Sequence, residues 1–265
     1  MLSALISKTL QKKYAALQLT MTHQNNVDPR WGEKNRDKKA QAIFYTLRQH
    51  RRAEAGETWI DIGCGSGGIA ATLAPHVGRV IGIDPESWAR WSGYREDFPN
   101  LEFHIGSYKD ISKFLEPGSA DVVICNQVYE HVDDPIALLQ AIRSALKHDG
   151  ICYFAGPNLL WPIEPHVFWP LVHWLPRKTA QNIMRRLGSR RADSLDAYSW
   201  SYNKLISAFK EVELTYMSAI QLRLAASLEN ASRKKSSRLV NLLPKSLFRW
   251  LTPIAPGFVF ILSKS

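Results

Sequence analysis

The chain has 265 residues, of which 45% are hydrophobic and 22% are charged. This balance excludes a disordered or fibrous protein and allows a large core domain with additions. Residues 1–170 hold 18 basic and 19 acidic side chains, a net charge of −1, whereas residues 171–265 hold 16 basic and 5 acidic ones, a net charge of +11. The C-terminal third is therefore expected to meet an anionic partner, whether phosphate, lipid headgroup or nucleic acid.

The cysteines and apolar runs predict a cytoplasmic protein. Cys64, Cys125 and Cys152 are too scattered for a disulfide framework and form no CxxC pair. The most apolar region, residues 159–175, is interrupted by prolines and polar side chains, so a membrane span is not expected. Residues 1–55 are interpreted as an N-terminal helical cap, in preference to a transit peptide.

Strand-like and helix-like segments alternate between residues 58 and 156, which predicts parallel strands joined by crossover helices. After the fourth strand, Asp134 is predicted to cap a helix that begins at Pro135 and continues past Leu146 to Gly150. The five predicted strands are 58–62, 79–83, 101–105, 121–125 and 151–155.

The first predicted strand runs into the sequence DIGCGSGG, whose glycines permit a tight turn and a close approach to a ligand. Gly63, Gly65 and Gly68 also match the dinucleotide-binding spacing, and Asp84 ends the next strand, where an acid would bind ribose. Asp61 argues against NAD, because its carboxylate would lie near a pyrophosphate. It suits the cationic amino group of a nucleoside that carries methionine.

These segments resemble a class I S-adenosylmethionine-dependent methyltransferase, of the small-molecule group that includes ubiquinone-biosynthesis methyltransferases. The resemblance covers about residues 30–156 and implies an α/β fold with a doubly wound, mostly parallel seven-stranded, Rossmann-like sheet in residues 56–265. Residues 257–263 would form the reversed final strand and residues 211–217 its neighbour. The matching stretches are IDIGCGSG at 60–67, VIGID at 80–84, ADVV at 120–123, YEHV at 129–132, LKHDG at 146–150 and GPN at 156–158.

The resemblance also implies S-adenosylmethionine as cofactor and assigns parts of it to residues at the strand ends. The glycine loop with its preceding acid would hold the methionine end, the acid after the second strand the ribose, and two residues after the third strand the adenine. Two residues after the fourth strand would line the sulfonium side. Many relatives carry Asp at the position of Ser107. The predicted cofactor-binding residues are Asp61, Gly63, Cys64, Gly65, Gly67, Asp84, Pro85, Ser107, Tyr108, Asn126 and Gln127.

Two histidines are candidates for the general base that a hydroxyl acceptor needs. His131 comes first, since it follows the fourth strand at the expected ligand crevice. His166, in the segment after the fifth strand, comes second. The alternative is that Tyr129, Glu130 and His131 only begin a helix, with Glu130 complementing the helix dipole. No metal site is predicted.

Residues 157–200, after the fifth predicted strand, are rich in aromatic and basic side chains. Because they leave the sheet at the edge of the cofactor loops, they are predicted to form a substrate lid. The alternative is that the aromatic side chains only give this insertion a core of its own. These side chains are Trp161, Phe168, Trp169 and Trp174.

A second basic group, Arg233, Lys234, Lys235 and Arg238, precedes residues 239–251, which mix leucine, phenylalanine and tryptophan with two cations. This composition is typical of a helix that lies on a membrane surface. The alternative is a helix packed on the sheet with its charges in water.

The favoured hypothesis is methyl transfer from S-adenosylmethionine to a small molecule, at an oxygen of an apolar, anionic or lipid-linked acceptor. Peripheral contact with an anionic membrane surface would bring the enzyme to that acceptor. The first alternative is an RNA methyltransferase that uses the basic C-terminal third. Nucleic acid is the less favoured substrate, because NQVY at 126–129 replaces the DPPY-like tetrapeptide of adenine-amino methyltransferases. The second alternative is an NAD-binding or non-catalytic nucleotide-binding protein.

Overall fold

The computed structural model describes residues 36–50, 54–164, 167–195 and 198–265. The strands in these ranges are β1 (Thr58–Ile62), β2 (Arg79–Asp84), β3 (Leu101–Ile105), β4 (Ala120–Asn126), β5 (Leu146–Pro157), β6 (Ile163–Glu164), β7 (Trp169–Pro170), β8 (Leu214–Ser218) and β9 (Gly257–Lys264). The α-helices are α1 (Arg36–His50), α2 (Gly68–Leu73), α3 (Arg90–Asp97), α4 (Ile111–Phe114), α5 (Pro135–Ala145), α6 (Arg177–Arg186), α7 (Tyr202–Glu211), α8 (Ile220–Asn230), α9 (Lys234–Leu242) and α10 (Lys245–Leu251).

Seven strands form one sheet in the order β3-β2-β1-β4-β5-β9-β8. The strands β1 to β5 are parallel, whereas β9 runs antiparallel to both β5 and β8. The predicted mostly parallel sheet with a reversed final strand is therefore confirmed. The neighbouring strand begins at Leu214 rather than at residue 211, because α7 extends to Glu211.

Helices cover both faces of the sheet, and strand alternation supplies a core to each face. Trp59 of β1 packs in the core that includes side chains of α1, α2 and α3. Ile60 and Ile62 pack in the opposite core, with side chains of α5 and α7. The next side chain on the Trp59 face is Asp61, so a carboxylate is carried into an apolar layer.

The helix after β4 begins as predicted but ends early. The Asp134 carboxylate accepts a hydrogen bond of 3.0 Å from the N–H of Ala137, and Pro135 is the first residue of α5. The expected continuation to Gly150 is wrong, because Leu146 already pairs with β4. Strand pairing at this position replaces the last helical turn that the apolar spacing predicts.

The basic segment 239–251 is two helices rather than one. The helices α9 and α10 are separated at Leu243 and Pro244, since proline cannot continue a helix and favours an extended residue before it. The Gln221 amide of α8 donates to the carbonyls of Val240 and Leu243, which ties the end of α9 to α8. Among the residues described, no helix is long and apolar enough to cross a membrane.

Candidate active site

The loop between β1 and α2 has a conformation that favours glycine. Gly63, Gly65 and Gly67 have φ angles of +66°, +53° and +84°. A Cβ atom on Gly67 would lie 2.4 Å from Cζ of Phe103, and one on Gly63 would lie 2.7 Å from Cγ2 of Val128. Left-handed backbone and lack of space therefore both exclude larger side chains at these two positions. The turn brings Gly63, in the loop after β1, against Val128, in the loop after β4.

Asp84 at the end of β2 holds the glycine loop in place. Its Oδ2 accepts a hydrogen bond of 2.8 Å from the N–H of Gly65. Its Oδ1 accepts hydrogen bonds from the N–H of Glu86 at 3.0 Å and from Nε1 of Trp88 at 3.3 Å. The indole of Trp91 donates to the Gly65 carbonyl at 3.0 Å. The acid predicted to bind ribose thus also organises the loop beside it.

Asp61 is a buried carboxylate next to this loop. Its side chain is 1% exposed, and Oδ2 has no hydrogen-bond partner among the described residues. Burial, followed by the negative charge of Asp84, raises the pKa of Asp61 to about 8, while Lys39 of α1 acts in the opposite direction. A ligand cation at this position would give Oδ2 a positively charged partner and would stabilise the ionised form of the carboxylate.

The turn after β3 approaches Asp84, whose carbonyl accepts the N–H of Gly106 at 2.9 Å. Ser107 caps the 3-10 turn that follows: its hydroxyl donates to Asp110 at 3.1 Å and accepts the N–H of Lys109. Tyr108 is buried, and its hydroxyl lacks a hydrogen-bond partner among the described residues. The structure therefore brings the predicted adenine segment beside the predicted ribose residue.

The loop after β4 completes the edge of the site. Asn126 and Gln127 are half-buried, and Gln127 has a positive φ of 60°. The N–H of Gln127 donates to the Ala155 carbonyl of β5 at 2.7 Å, so the loop turns back over the sheet edge. Val128 then packs on Gly63. The two residues predicted to line the sulfonium side thus adjoin the glycine loop.

The remaining predicted cofactor residues are Cys64 and Pro85. Cys64 is buried, and burial, followed by the negative charges of Asp61 and Asp84, raises the pKa of its thiol well above the usual range. A protonated thiol is a poor nucleophile, so Cys64 is not suited to covalent catalysis. Pro85 is exposed directly after Asp84.

The position of Glu130 contradicts the alternative in which Tyr129, Glu130 and His131 begin a helix. It does not lie in the first turn of a helix, since α5 begins at Pro135; instead its side chain is fully buried. Its carboxylate lies beside Gly156 of β5, where an added Cβ would be 3.2 Å from Oε2. The neighbouring Tyr129 hydroxyl donates to the Pro157 carbonyl. The Asp134-Pro135 cap already identified the helix start and was the signal that placed Glu130 outside it.

His131 lies in the turn between β4 and α5. Its N–H donates to the Val128 carbonyl at 2.9 Å, and its side chain is exposed at the same edge of the sheet as the glycine loop. Its role as general base stays a prediction. The second candidate, His166, lies outside the described residues. In the described ranges, no group of three or more His, Cys, Asp or Glu side chains is arranged to hold a metal ion.

The insertion between β5 and α7 has a small apolar core and an exposed aromatic surface. Trp169 packs against this core, whereas the side chains of Phe168 and Trp174 are 70% and 51% exposed. The small core of the second alternative is therefore present, and the role of the insertion as a substrate lid stays a prediction. The buried core residues are Val167, Val172, Ala180, Met184, Ala192 and Leu195.

The sheet order with its reversed strand, the glycine loop after the first strand and the acid after the second together define the fold of class I methyltransferases. The sequence profile of the methyltransferase-domain family matches residues 33–215, well over half of the chain. The protein therefore belongs to this family, which confirms its recognition as a class I S-adenosylmethionine-dependent methyltransferase.

Curated relatives and solved structures agree with this assignment. The ubiquinone biosynthesis O-methyltransferase of Acinetobacter baylyi is 30% identical over 116 residues, which cover 42% of this chain and 48% of the relative. The protein of the same name from Pasteurella multocida is 23% identical over 202 residues, 67% of this chain and 84% of the relative. The chain spans about half the length of most of these curated relatives.

Two solved structures share the fold. The plantazolicin methyltransferase BamL, in complex with a triazolic desmethylPZN analog and SAH, has a TM-score of 0.57 at 13% identity and covers 100% of this chain and 99% of its own. The YcgJ protein of Bacillus subtilis has a TM-score of 0.52 at 16% identity and covers 84% of this chain and 98% of its own.

The residues at the sheet edge fit the methyl donor of the family, S-adenosylmethionine. The buried Asp61 carboxylate matches a cationic amino group, and at Gly65 of the adjacent loop an added Cβ would meet nothing within 4 Å. The backbone carbonyl of Asp84 accepts the N–H of Gly106, so the end of β2 and the turn that contains Ser107 are neighbours.

Proposed function

We propose that the protein transfers a methyl group from S-adenosylmethionine to an oxygen of a small, apolar or lipid-linked acceptor. The observation that carries this proposal is the buried Asp61 carboxylate, unpartnered at Oδ2, beside a left-handed glycine loop. A carboxylate beside this loop suits the cationic methionine end of the donor better than it suits a pyrophosphate.

Each strand end contributes one part of the donor site. Asp61 binds the ammonium group and Asp84 the ribose hydroxyls, while it keeps its hydrogen bond to the glycine loop. Ser107 and Tyr108 flank the adenine. Asn126 and Gln127 face the sulfonium, which makes the carboxyl end of β4 the place where the acceptor must arrive.

Methyl transfer from a sulfonium is an in-line displacement, so the protein has to align the acceptor and remove its proton. When bound, the donor supplies an activated methyl group on a positively charged sulfur. His131, exposed at the end of β4, is the first candidate to take the proton from a hydroxyl acceptor, because imidazole titrates near neutral pH. His166 is the second.

The insertion supports an apolar acceptor. Its exposed Phe168 and Trp174 stand on a segment that leaves the sheet directly after β5. The curated relatives are named as O-methyltransferases of ubiquinone biosynthesis, which supports oxygen as the accepting atom. We also propose peripheral contact with an anionic membrane surface, since the C-terminal third is strongly basic.

Incubation of the protein with cell extract and isotopically labelled S-adenosylmethionine tests this function. Mass spectrometry is expected to find the label in an organic-soluble product that is absent with the heat-treated protein. The +11 charge of residues 171–265 keeps RNA methylation as the second candidate. Label recovered only in RNA would favour that candidate and contradict the small-molecule acceptor.

A further inference from the structure

The two C-terminal helices, α9 and α10, and the turn after them expose an unusually dense group of large apolar side chains. Soluble proteins expose single apolar side chains without consequence, whereas a dense group marks an interaction surface. We call the exposed side chains of residues 233–254 the C-terminal face. Its apolar members are Leu239 (63% exposed), Leu242 (81%), Leu243 (39%), Leu247 (40%), Trp250 (78%) and Ile254 (59%).

The same face is uniformly cationic. Residues 233–254 contain no Asp or Glu, and their basic side chains are exposed. Lysine and arginine around leucine and tryptophan are the pattern of a segment that enters the boundary between lipid headgroups and acyl chains. The cations are Arg233, Lys234, Lys235, Arg238, Lys245 and Arg249.

The face lies near the cofactor edge of the sheet. Because β9 is antiparallel to β5, its first residue, Gly257, pairs with Pro157 at the carboxyl end of β5. The segment before β9 therefore ends at that edge. The Asn158 amide, at the base of the insertion, donates to the carbonyls of Pro253 at 2.9 Å and Ala255 at 2.8 Å. The insertion and the C-terminal face are thus tied to each other by one side chain.

We infer that the C-terminal face docks on an anionic lipid surface and holds the insertion toward an acceptor dissolved in that membrane. This rests on the proposed function, because it names where the acceptor is met. Charge complementarity decides between the possible occupants. The N-terminal segment carries Lys8, Lys12 and Lys13 and no acid before Asp28, and a second copy would bring the same cations, so both would repel the face.

RNA shares the charge of the lipid surface but leaves the apolar half of the face unexplained. Phosphate contacts use Lys and Arg, whereas Leu242 and Trp250 gain free energy only where they leave water. The contribution of these two side chains therefore separates lipid from nucleic acid.

Vesicle sedimentation at low salt tests the docking. The full chain is expected to pellet with vesicles of phosphatidylcholine mixed with phosphatidylglycerol, to stay in solution with phosphatidylcholine alone, and to be released by salt. Leu242→Ser/Trp250→Ser should weaken partitioning roughly tenfold or more, because two largely exposed apolar side chains lose their burial in lipid. Lys235→Gln/Arg238→Gln should weaken it by about fivefold for each charge.

A matched pair in the insertion is the control. Phe168→Ser/Leu187→Ser also removes one aromatic and one leucine side chain, 70% and 69% exposed, but outside the C-terminal face. This pair should keep most of the vesicle binding. Loss of binding in the insertion pair alone would overturn the assignment of the face. Full binding by Leu242→Ser/Trp250→Ser, with release by the charge variant, would mean a purely electrostatic polyanion site and would overturn it too.

Failure of the docking is distinguishable from failure of the methyltransferase function. Calorimetric titration with S-adenosylhomocysteine is run on each variant without vesicles, and it is expected to give the same heat for all of them. A chain that binds this ligand but pellets with neither vesicle overturns the docking alone.

Discussion

The region from β1 to β5 and the region after it place their functional side chains in opposite ways. In the first, the functional groups are turned inward: Asp61 is buried under α1 and Asp84 is held in hydrogen bonds to the glycine loop. In the second, the cations and several large apolar side chains are turned outward, as Trp250 and Phe168 show. The donor site therefore depends on carboxylates that are buried or hydrogen-bonded inside the fold. The acceptor side depends on exposed cationic and apolar side chains that can contact a partner.

Asp61→Asn should weaken donor binding in the inward region. Without the carboxylate, the ammonium group of the donor loses its charged partner, and affinity for S-adenosylhomocysteine should fall roughly 10- to 100-fold. Asp97→Asn, at an exposed helix end, is the control and should bind normally. Normal affinity in Asp61→Asn would remove this residue from the site.

The same substitution should change how stability depends on pH. The pKa of Asp61 is raised from 3.8 to about 8, so between these values the folded protein holds a proton that the unfolded chain releases. The free energy of unfolding therefore falls as pH rises through this window, with a slope of at most about 1.4 kcal/mol per pH unit. Urea denaturation of the ligand-free protein at several pH values should show this slope in the wild type and a smaller one in Asp61→Asn. Equal slopes would contradict the buried, protonated carboxylate.

His131→Ala tests whether His131, at the end of β4, is the general base for the acceptor. If the imidazole removes the acceptor proton, turnover should fall roughly 10²- to 10⁴-fold while S-adenosylhomocysteine binding is kept. His148→Ala is the control, because His148 is also exposed but lies at the opposite edge of the sheet, beside the start of β4. Near-normal turnover of His131→Ala across the pH range would assign His131 to structure and leave His166 as the candidate.

Gly67→Ala and Gly188→Ala compare a crowded turn with an open one. Both glycines have positive φ, but a Cβ would clash with Phe103 only at Gly67, and nothing lies within 4 Å at Gly188. We expect Gly67→Ala to lower the unfolding free energy by about 2 to 5 kcal/mol and Gly188→Ala by about 1 to 2 kcal/mol. Urea denaturation midpoints measure the difference, and equal losses would show that the crowding at Gly67 is relieved by movement of Phe103.

Asp84→Ala should also weaken donor binding. It removes the ribose acceptor and frees the N–H of Gly65, and we expect donor affinity to weaken by about 1 to 3 kcal/mol. Glu86→Ala is the control, since only its backbone contacts Asp84. Calorimetry checks both variants, and unchanged affinity in Asp84→Ala would place the ribose elsewhere.

The strands and the helix start of the inward region could be predicted from the sequence, because apolar runs, glycines and capping residues indicated the same boundaries. Strands β1 to β4 were predicted to within one residue at each end, since short apolar runs end in glycine or acid. The Asp134-Pro135 pair marked the start of α5 by its capping chemistry alone. The start of β5 was missed because the pairing of Leu146 with β4 is a contact between distant segments, which helical spacing does not reveal.

For the outward region, the sequence predicted the basic and aromatic composition of the surface but not where the helices end or which aromatic side chains are buried. The break between α9 and α10 at Pro244 was missed, because the amphipathic pattern continues across the proline. Which aromatic side chains of the insertion would be buried depended on its small private core: Trp169 packs there and Phe168 does not. Alternation and spacing carry no information about a core built by a few irregular residues.

Calorimetric titration of the intact protein with S-adenosylhomocysteine and, separately, with NAD shows whether the inward region is a donor site for S-adenosylmethionine. We predict saturable binding of S-adenosylhomocysteine at one site for each chain and no heat from NAD. Saturable binding of NAD, or no binding of S-adenosylhomocysteine, would contradict a donor site for S-adenosylmethionine.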